Sequence, residues 1–229
     1  MAKRIALAWA LFLLASLAAA AGDVAQFVNL GFSPDSKHFM FGQYGITEKN
    51  STPWAEAYIV DVAANAFVPQ GTKRISSTQS VDPGVSGLGA LLSVLGDTAA
   101  PKKQYRIDYL RTGRQLYILV DGEETSDSLE FRDFESGRTY KAALTQSTVT
   151  NGAPNASFSI AVAVTDRDGR MRSFIVGDPG YQRAGVKAYH IKQIILAPDA
   201  NSLVFLIQKE EQDTRGSNIR YMVETARPR

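Results

Sequence analysis

Residues 28–45 read VNLGFSPDSKHFMFGQYG. Phe32-Ser33-Pro34-Asp35 is followed, after three residues, by Phe39-Met40-Phe41, which is strand, turn, strand. Proline at the second turn position sets φ near −65°, and the aspartate carboxylate bonds nearby backbone amides and closes the turn. The same order returns far along the chain: Leu196-Ala197-Pro198-Asp199, three residues, then Leu203-Val204-Phe205. Pro34, Asp35, Pro198 and Asp199 are therefore expected to be structural turn residues, and the segments around them β-hairpins.

Working outward, runs with period-2 alternation or β-branched and aromatic enrichment cover 26–32, 38–44, 55–62, 105–110, 115–120, 129–134, 138–144, 157–165, 170–176, 186–196, 203–208 and 219–225. Turn residues separate them, and Thr165-Asp166-Arg167-Asp168-Gly169-Arg170 reads as a tight hairpin. Short strands on short turns predict an all-β, mainly antiparallel fold. One short helix is expected near 83–95, capped by Asp82, opened by Pro83 and ended by Gly96 ahead of Pro101. Its apolar face would be Val85, Leu88, Leu91, Leu92 and Leu95, with Gly84, Gly87 and Gly89 weakening it.

A second element also recurs. Tyr58-Ile59-Val60-Asp61 leads to Asn65, and Glu130-Phe131-Arg132-Asp133 leads to Gly137. Together with the Pro-Asp hairpin this order resembles the blades of TolB-like and WD-type β-propellers, which carry S-P-D in a first hairpin and V-D-x-x-[TS]-G in a second. Residues 28–68 match one blade, and 157–225 resemble parts of one or two more. The resemblance implies propeller-like blades or a related β-sandwich or barrel. The strand count supports about three blades, and 71–101 has no place in one. Over its whole length, through 28–45, the AYIVDV strand from Ala57 and the Pro198-Asp199 turn, the chain is similar to a bacterial family of predicted secreted proteins of unknown function. That resemblance implies export and a shared fold; it brings no activity, cofactor or site residue.

Residues 1–21, MAKRIALAWALFLLASLAAAA, have the three parts of a signal peptide: basic Lys3 and Arg4, an apolar core and a small-residue end. The core is shorter than the roughly 20 residues of a membrane span. Cleavage is expected after Ala20 or Ala21, leaving a single β-rich domain over 22–229 with no membrane span. The chain holds 25 basic and 23 acidic residues. Lys3 and Arg4 leave with the leader, so the mature chain is formally neutral, without the clustered basic surface a nucleic-acid reader needs. The absence of cysteine removes disulfides, thiolate metal sites and a cysteine nucleophile.

Common chemistries find little material. His38 and His190 both sit in strand-like runs, the G-x-S-x-G elbow fails at Leu88, and no phosphate loop occurs. Seven acids crowd 121–135, but without calcium-loop spacing, so a solvated acidic hairpin is expected there. No catalytic residue, metal ligand or cofactor is assigned. Exposed aromatics in loops are the usual material of binding sites, and two loops offer them: 45–53, flanked by Tyr44 and Trp54, and 177–185, carrying Tyr181 and Arg183. The plainer alternative is that these rings cap the core. The composite expectation is a secreted or periplasmic, non-catalytic binding or accessory protein, with a protein or another envelope component as partner. The alternative is an envelope hydrolase using paired carboxylates.

Overall fold

A computed structural model describes residues 22–213 and 216–228; the signal-peptide expectation for 1–21 lies outside them. Among the described residues twelve strands form three four-stranded antiparallel sheets that are not closed into a barrel. Sheet I is the meander β1 (Gln26–Phe32), β2 (His38–Ile46), β3 (Pro53–Asp61) and β4 (Ala66–Ser76). Two short helices follow, α1 (Leu88–Asp97) and α2 (Ala99–Gln104). Sheet III is a second meander, β6 (Ser128–Arg132), β7 (Thr139–Asn151), β8 (Ala153–Thr165) and β9 (Met171–Ala184). Sheet II joins β5 (Arg114–Ile118) to the C-terminal strands β10 (Val186–Leu196), β11 (Leu203–Asp213) and β12 (Gly216–Ala226), in the order β12-β11-β10-β5.

Strand alternation sorts the core into layers. On β11, Leu203, Phe205 and Ile207 pack with Phe158, Ile160 and Tyr140 of sheet III. Val204 and Leu206, pointing the other way, pack with Phe39, Phe41 and Val60 of sheet I. Sheet II is thus the middle layer. The far face of sheet I (Leu30, Met40, Ala57, Ile59) is covered by Leu91 and Val94 of α1. Gly42 permits that approach, since a Cβ there would lie 2.9 Å from a Leu91 methyl.

Both Pro-Asp turns have one geometry. Ser36 N–H donates to the Ser33 carbonyl (2.9 Å) and Ala200 N–H to the Ala197 carbonyl (3.0 Å). Ser36 and Ala200 both take positive φ (55° and 56°). Asp35 accepts from the Ser33 hydroxyl (2.7 Å) and the Lys37 amide (3.2 Å). Asp199 accepts from the amides of Asn201 (3.0 Å) and Ser202 (2.8 Å) and from the Ser202 hydroxyl (2.7 Å).

The second recurring element is also a turn. Asp61 takes the amides of Ala63 and Ala64, and Asp133 those of Glu135 and Ser136. Positive-φ Asn65 and Gly137 end these turns.

Four expectations change. The helix starts at Leu88, not Pro83, because the glycines ahead of it do not hold helix; Gly87 caps it without a side-chain bond. Asp82 is therefore no cap, and Leu88 and Leu92 face solvent. Pro101 lies inside α2, in the first turn where a missing N–H costs nothing. The stretch 105–110 is not a strand: Arg106 takes positive φ, and Asp108 N–H bonds the Phe32 carbonyl (3.0 Å) as an irregular cover on β1. β4, unexpected because Pro69 and Gly71 punctuate it, forms at the edge of sheet I, where a residue without an N–H is tolerated. The expected 177–185 loop is the end of β9.

Candidate functional site

At the end of β9 the ladder pairs Phe158 with Asp178 and then Ala156 with Arg183. One residue of β8 thus faces four of β9, and 179–182 bulge outward. Gly177 and Pro179 impose the distortion, and Gln182 anchors it through its amide to the Ser157 hydroxyl (3.0 Å). The bulge leaves Tyr181 59% exposed and turns Arg183 inward, with its guanidinium over the rings of Tyr181 (4.8 Å), Phe158 (5.4 Å) and Tyr189 (5.8 Å).

The cleft beside this bulge runs along the β12 edge of the middle sheet, between sheets I and III. It encloses about 470 Å³, within the range of small-ligand sites. Sheet I supplies Glu56, Tyr58 and Arg74; β9 supplies Tyr181 and Arg183; β11 and β12 supply Lys209, Glu211 and Arg220. The carboxylates are held by neighbouring cations and hydroxyls. Arg74 Nε lies 3.3 Å from Glu56, which also accepts from the Tyr58 hydroxyl (2.6 Å) and the Gln43 amide (2.8 Å). Lys209 lies 2.7 Å from Glu211. Burial and the adjacent Glu56 push the Tyr58 phenol well above its usual value.

Beneath the cleft Glu224 ties the three sheets together. It is buried, accepts from the Asn65 amide of sheet I, and lies 3.7 Å from Arg183 Nη2 of sheet III. Burial raises its carboxyl above the usual value, against the opposing pull of Asn65 and Arg183. Edge amides of β12 are satisfied from outside: Ile219 by the Asp23 carbonyl, Tyr221 by Gln43 Oε1 and Thr225 by Asn65 Oδ1. An edge strand covered this way offers no ladder to another chain. Gln43, Asn65 and Glu224 escape sequence analysis because isolated polar residues in strands and turns carry no motif.

Of the four expected binding residues, Tyr181 and Arg183 line the cleft and the other two do not. Trp54 shares the inner face of β3 with Glu56 and Tyr58 but is buried (7% exposed). The Arg220 guanidinium lies 4.3 Å above its ring, and Gly45 packs close to the indole, where a Cβ would come within 3.0 Å of it. Tyr44, one residue along β2 from Gln43, points to the opposite face and packs toward the helical cover. The 45–53 loop between them is a closed hairpin of Thr47, Asn50 and Thr52 hydroxyl and amide bonds.

A larger, shallower hollow of about 730 Å³ lies on the outer face of sheet III, among Ala143, Ala161 and Ala163, with Glu130 paired to Lys141 (3.1 Å). Its polar lining is that exposed pair with Ser128 and Ser173. In the acidic stretch, Asp133 and Glu135 are engaged by Arg114 and Asp121 by Lys192. Among the described residues no three His, Asp or Glu are placed to hold a metal ion, and no described helix is long and apolar enough to cross a membrane. His38 packs against Tyr105 with the rings tilted (4.8 Å) and His190 faces Glu210 (3.3 Å), neither lining the cleft.

No curated protein and no solved structure matches the chain, and the comparisons bring no TolB-like or WD-type propeller to it. A family model described as "Predicted secreted protein (DUF2259)" matches residues 40–227, and the chain belongs to this family of predicted secreted proteins of unknown function.

Proposed function

We propose that the protein is an exported, non-catalytic binding module of the bacterial envelope and that it binds through the cleft beside the β9 bulge. The observation that carries this is the convergence of Tyr181 and Arg183 with Arg74, Lys209 and Arg220 from two other sheets in one concavity. Aromatic and arginine side chains dominate binding energetics elsewhere, and a strand bulge is a standard device for re-aiming a side chain at a site. The carboxylates in the cleft favour binding over hydrolysis. Glu56 and Glu211 each have a cation within ion-pair distance, which suits a fixed electrostatic surface rather than a proton-exchanging acid.

The test is capture from envelope extract with the full mature protein, read by native mass spectrometry. Tyr181→Ala and Arg74→Gln alter exposed side chains and should keep the wild-type melting temperature within about 2 °C, the shift expected for roughly 0.5 kcal/mol. Wild type should retain a bound species that both variants lose. Equal retention by all three would remove the cleft from the account. Turnover of a cell-wall or peptide substrate, abolished by Glu56→Gln, would replace binding with hydrolysis.

A further inference from the structure

A second cleft, of about 550 Å³, lies between β1 of sheet I and the face of sheet II that carries Val204 and Leu206. Cross-strand partners share a face of a sheet, and on this face three of them are glutamines. Gln193 of β10 pairs with Leu206, Gln115 of β5 with Ile195, and Gln208 of β11 with Tyr221. All three line the cleft.

Gln193 decides the reading. It is only 6% exposed, yet among the described residues its side-chain amide has no hydrogen-bond partner, and neither have those of Gln115 and Gln208. A buried amide left unpaired is costly to keep, and an apolar side chain like that of Leu206 beside it would avoid the cost. The β10 ladder is bulged at the preceding residue, Lys192, and bulges re-aim side chains at sites.

The cleft carries no net charge. The two charged residues that line it, Lys192 and Asp121, pair with each other at 2.5 Å, with Asp121 standing in solvent. A carboxamide holds an acceptor oxygen and a two-proton donor side by side, and a hydroxyl donates once and accepts twice. The amides therefore match a body covered with hydroxyl groups, each of which must both give and take. Phe27 and Tyr221, edge to face with centroids 6.0 Å apart, add a half-buried apolar wall on which the C–H face of a pyranose packs. A peptide is ordinarily held by a main-chain ladder with pockets for alternate side chains. The groups offered here are side-chain amides on the face of a sheet.

We propose that this cleft is a second binding site, distinct from the one beside the β9 bulge, and that it takes a neutral saccharide of one or two rings. Its volume falls within the range of small-ligand sites. The Gln193 and Gln208 amides bridge neighbouring hydroxyls, and Phe27 and Tyr221 carry the ring face.

Calorimetric titration of the chain over residues 22–229 with maltose, cellobiose and N,N′-diacetylchitobiose, and with triglycine for comparison, tests this. At least one disaccharide should bind saturably in the millimolar range or tighter. Gln193→Leu and Gln208→Ala should each weaken it about fivefold, the worth of one hydrogen bond. Tyr181→Ala, which alters only the other cleft, should leave it unchanged. Gln193→Leu should melt no lower than wild type, because it removes a buried amide that has no partner. No disaccharide binding, undiminished binding by both glutamine variants, or tighter binding of triglycine would each overturn the assignment. So would a Gln193→Leu variant that melts well below wild type, since the amide would then serve the fold.

Discussion

Replacing Asp133 by alanine should be among the costliest changes this protein can suffer, although the residue is remote from the cleft. Its carboxylate accepts from Arg114 Nη1 (2.6 Å) and Nη2 (2.8 Å), from the Ser136 hydroxyl, and from the backbone amides of Glu135 (3.2 Å) and Ser136 (3.3 Å). The Asp133 side chain is 1% exposed and that of Arg114 35%. Breaking a buried pair by removing one partner costs about 3–5 kcal/mol. Arg114 reaches water and keeps Glu135 at 3.0 Å, so the lower end applies, about 3 kcal/mol. For a domain of this size that is a fall in Tm of about 6–12 °C. Arg114→Ala should cost more, because it leaves the carboxylate buried without its cation.

The pair also fixes a pH dependence. Arg114 and Ser136 hold the Asp133 carboxyl far below its usual 3.8. A depressed folded value gives stability that is present above pH 3.8 and lost as pH falls through the folded value. Thermal unfolding followed by circular dichroism at pH 7 and pH 3 should show wild type losing more stability on acidification than Asp133→Asn. A fall under about 2 °C for Asp133→Ala at pH 7, less than one kcal/mol on the same scale, would refute the reasoning. So would a milder effect of Arg114→Ala.

Two further outcomes follow from the turns and the clasp. Asp199→Ala loses three bonds and should cost about 2 kcal/mol, whereas the more exposed Asp35→Ala loses two and should cost about 1 kcal/mol, at roughly 0.5–1.5 kcal/mol per bond; urea midpoints measure both, and ligand affinity should be unchanged in each. Glu224 runs opposite to Asp133: burial raises its folded value above the usual 4.5, so its contribution is favourable below pH 4.5 and declines as pH rises through the raised value. Glu224→Gln should flatten the wild-type decline in urea midpoint over that interval, and a slope that survives the substitution would assign the dependence to another group.

Residues with a local mechanism were legible in the sequence. The Pro34-Asp35 and Pro198-Asp199 turns, the 165–170 hairpin and the alternation of β1 and β10 each carry their cause within a few residues, and those two strands lie where periodicity puts them. What failed was long-range. β4 hides behind Pro69 and Gly71 because edge position, which makes them tolerable, is a property of the assembled sheet. The same composition of glycine and proline made the bulge of β9 look like a loop. Trp54 and Tyr44 flank one loop in the sequence, yet strand alternation sends them to opposite faces of sheet I, and only the packing of α1 and Arg220 shows that both faces are covered. Tyr181 and Arg183 were found because a bulge and a loop share the composition that exposes aromatics. Their companions Arg74, Lys209 and Arg220 come from three strands of the two other sheets, and no local pattern joins them.

Hydrogen–deuterium exchange on residues 22–229, with and without any species captured from envelope extract, tests the central claim most directly. Binding in the cleft predicts slowed exchange in the β9 bulge at 179–183 and along β12 at 217–222, with the outer face of sheet III unchanged. Protection confined to the alanine-lined hollow of sheet III, or to the helical cover of sheet I around Tyr44, would contradict it.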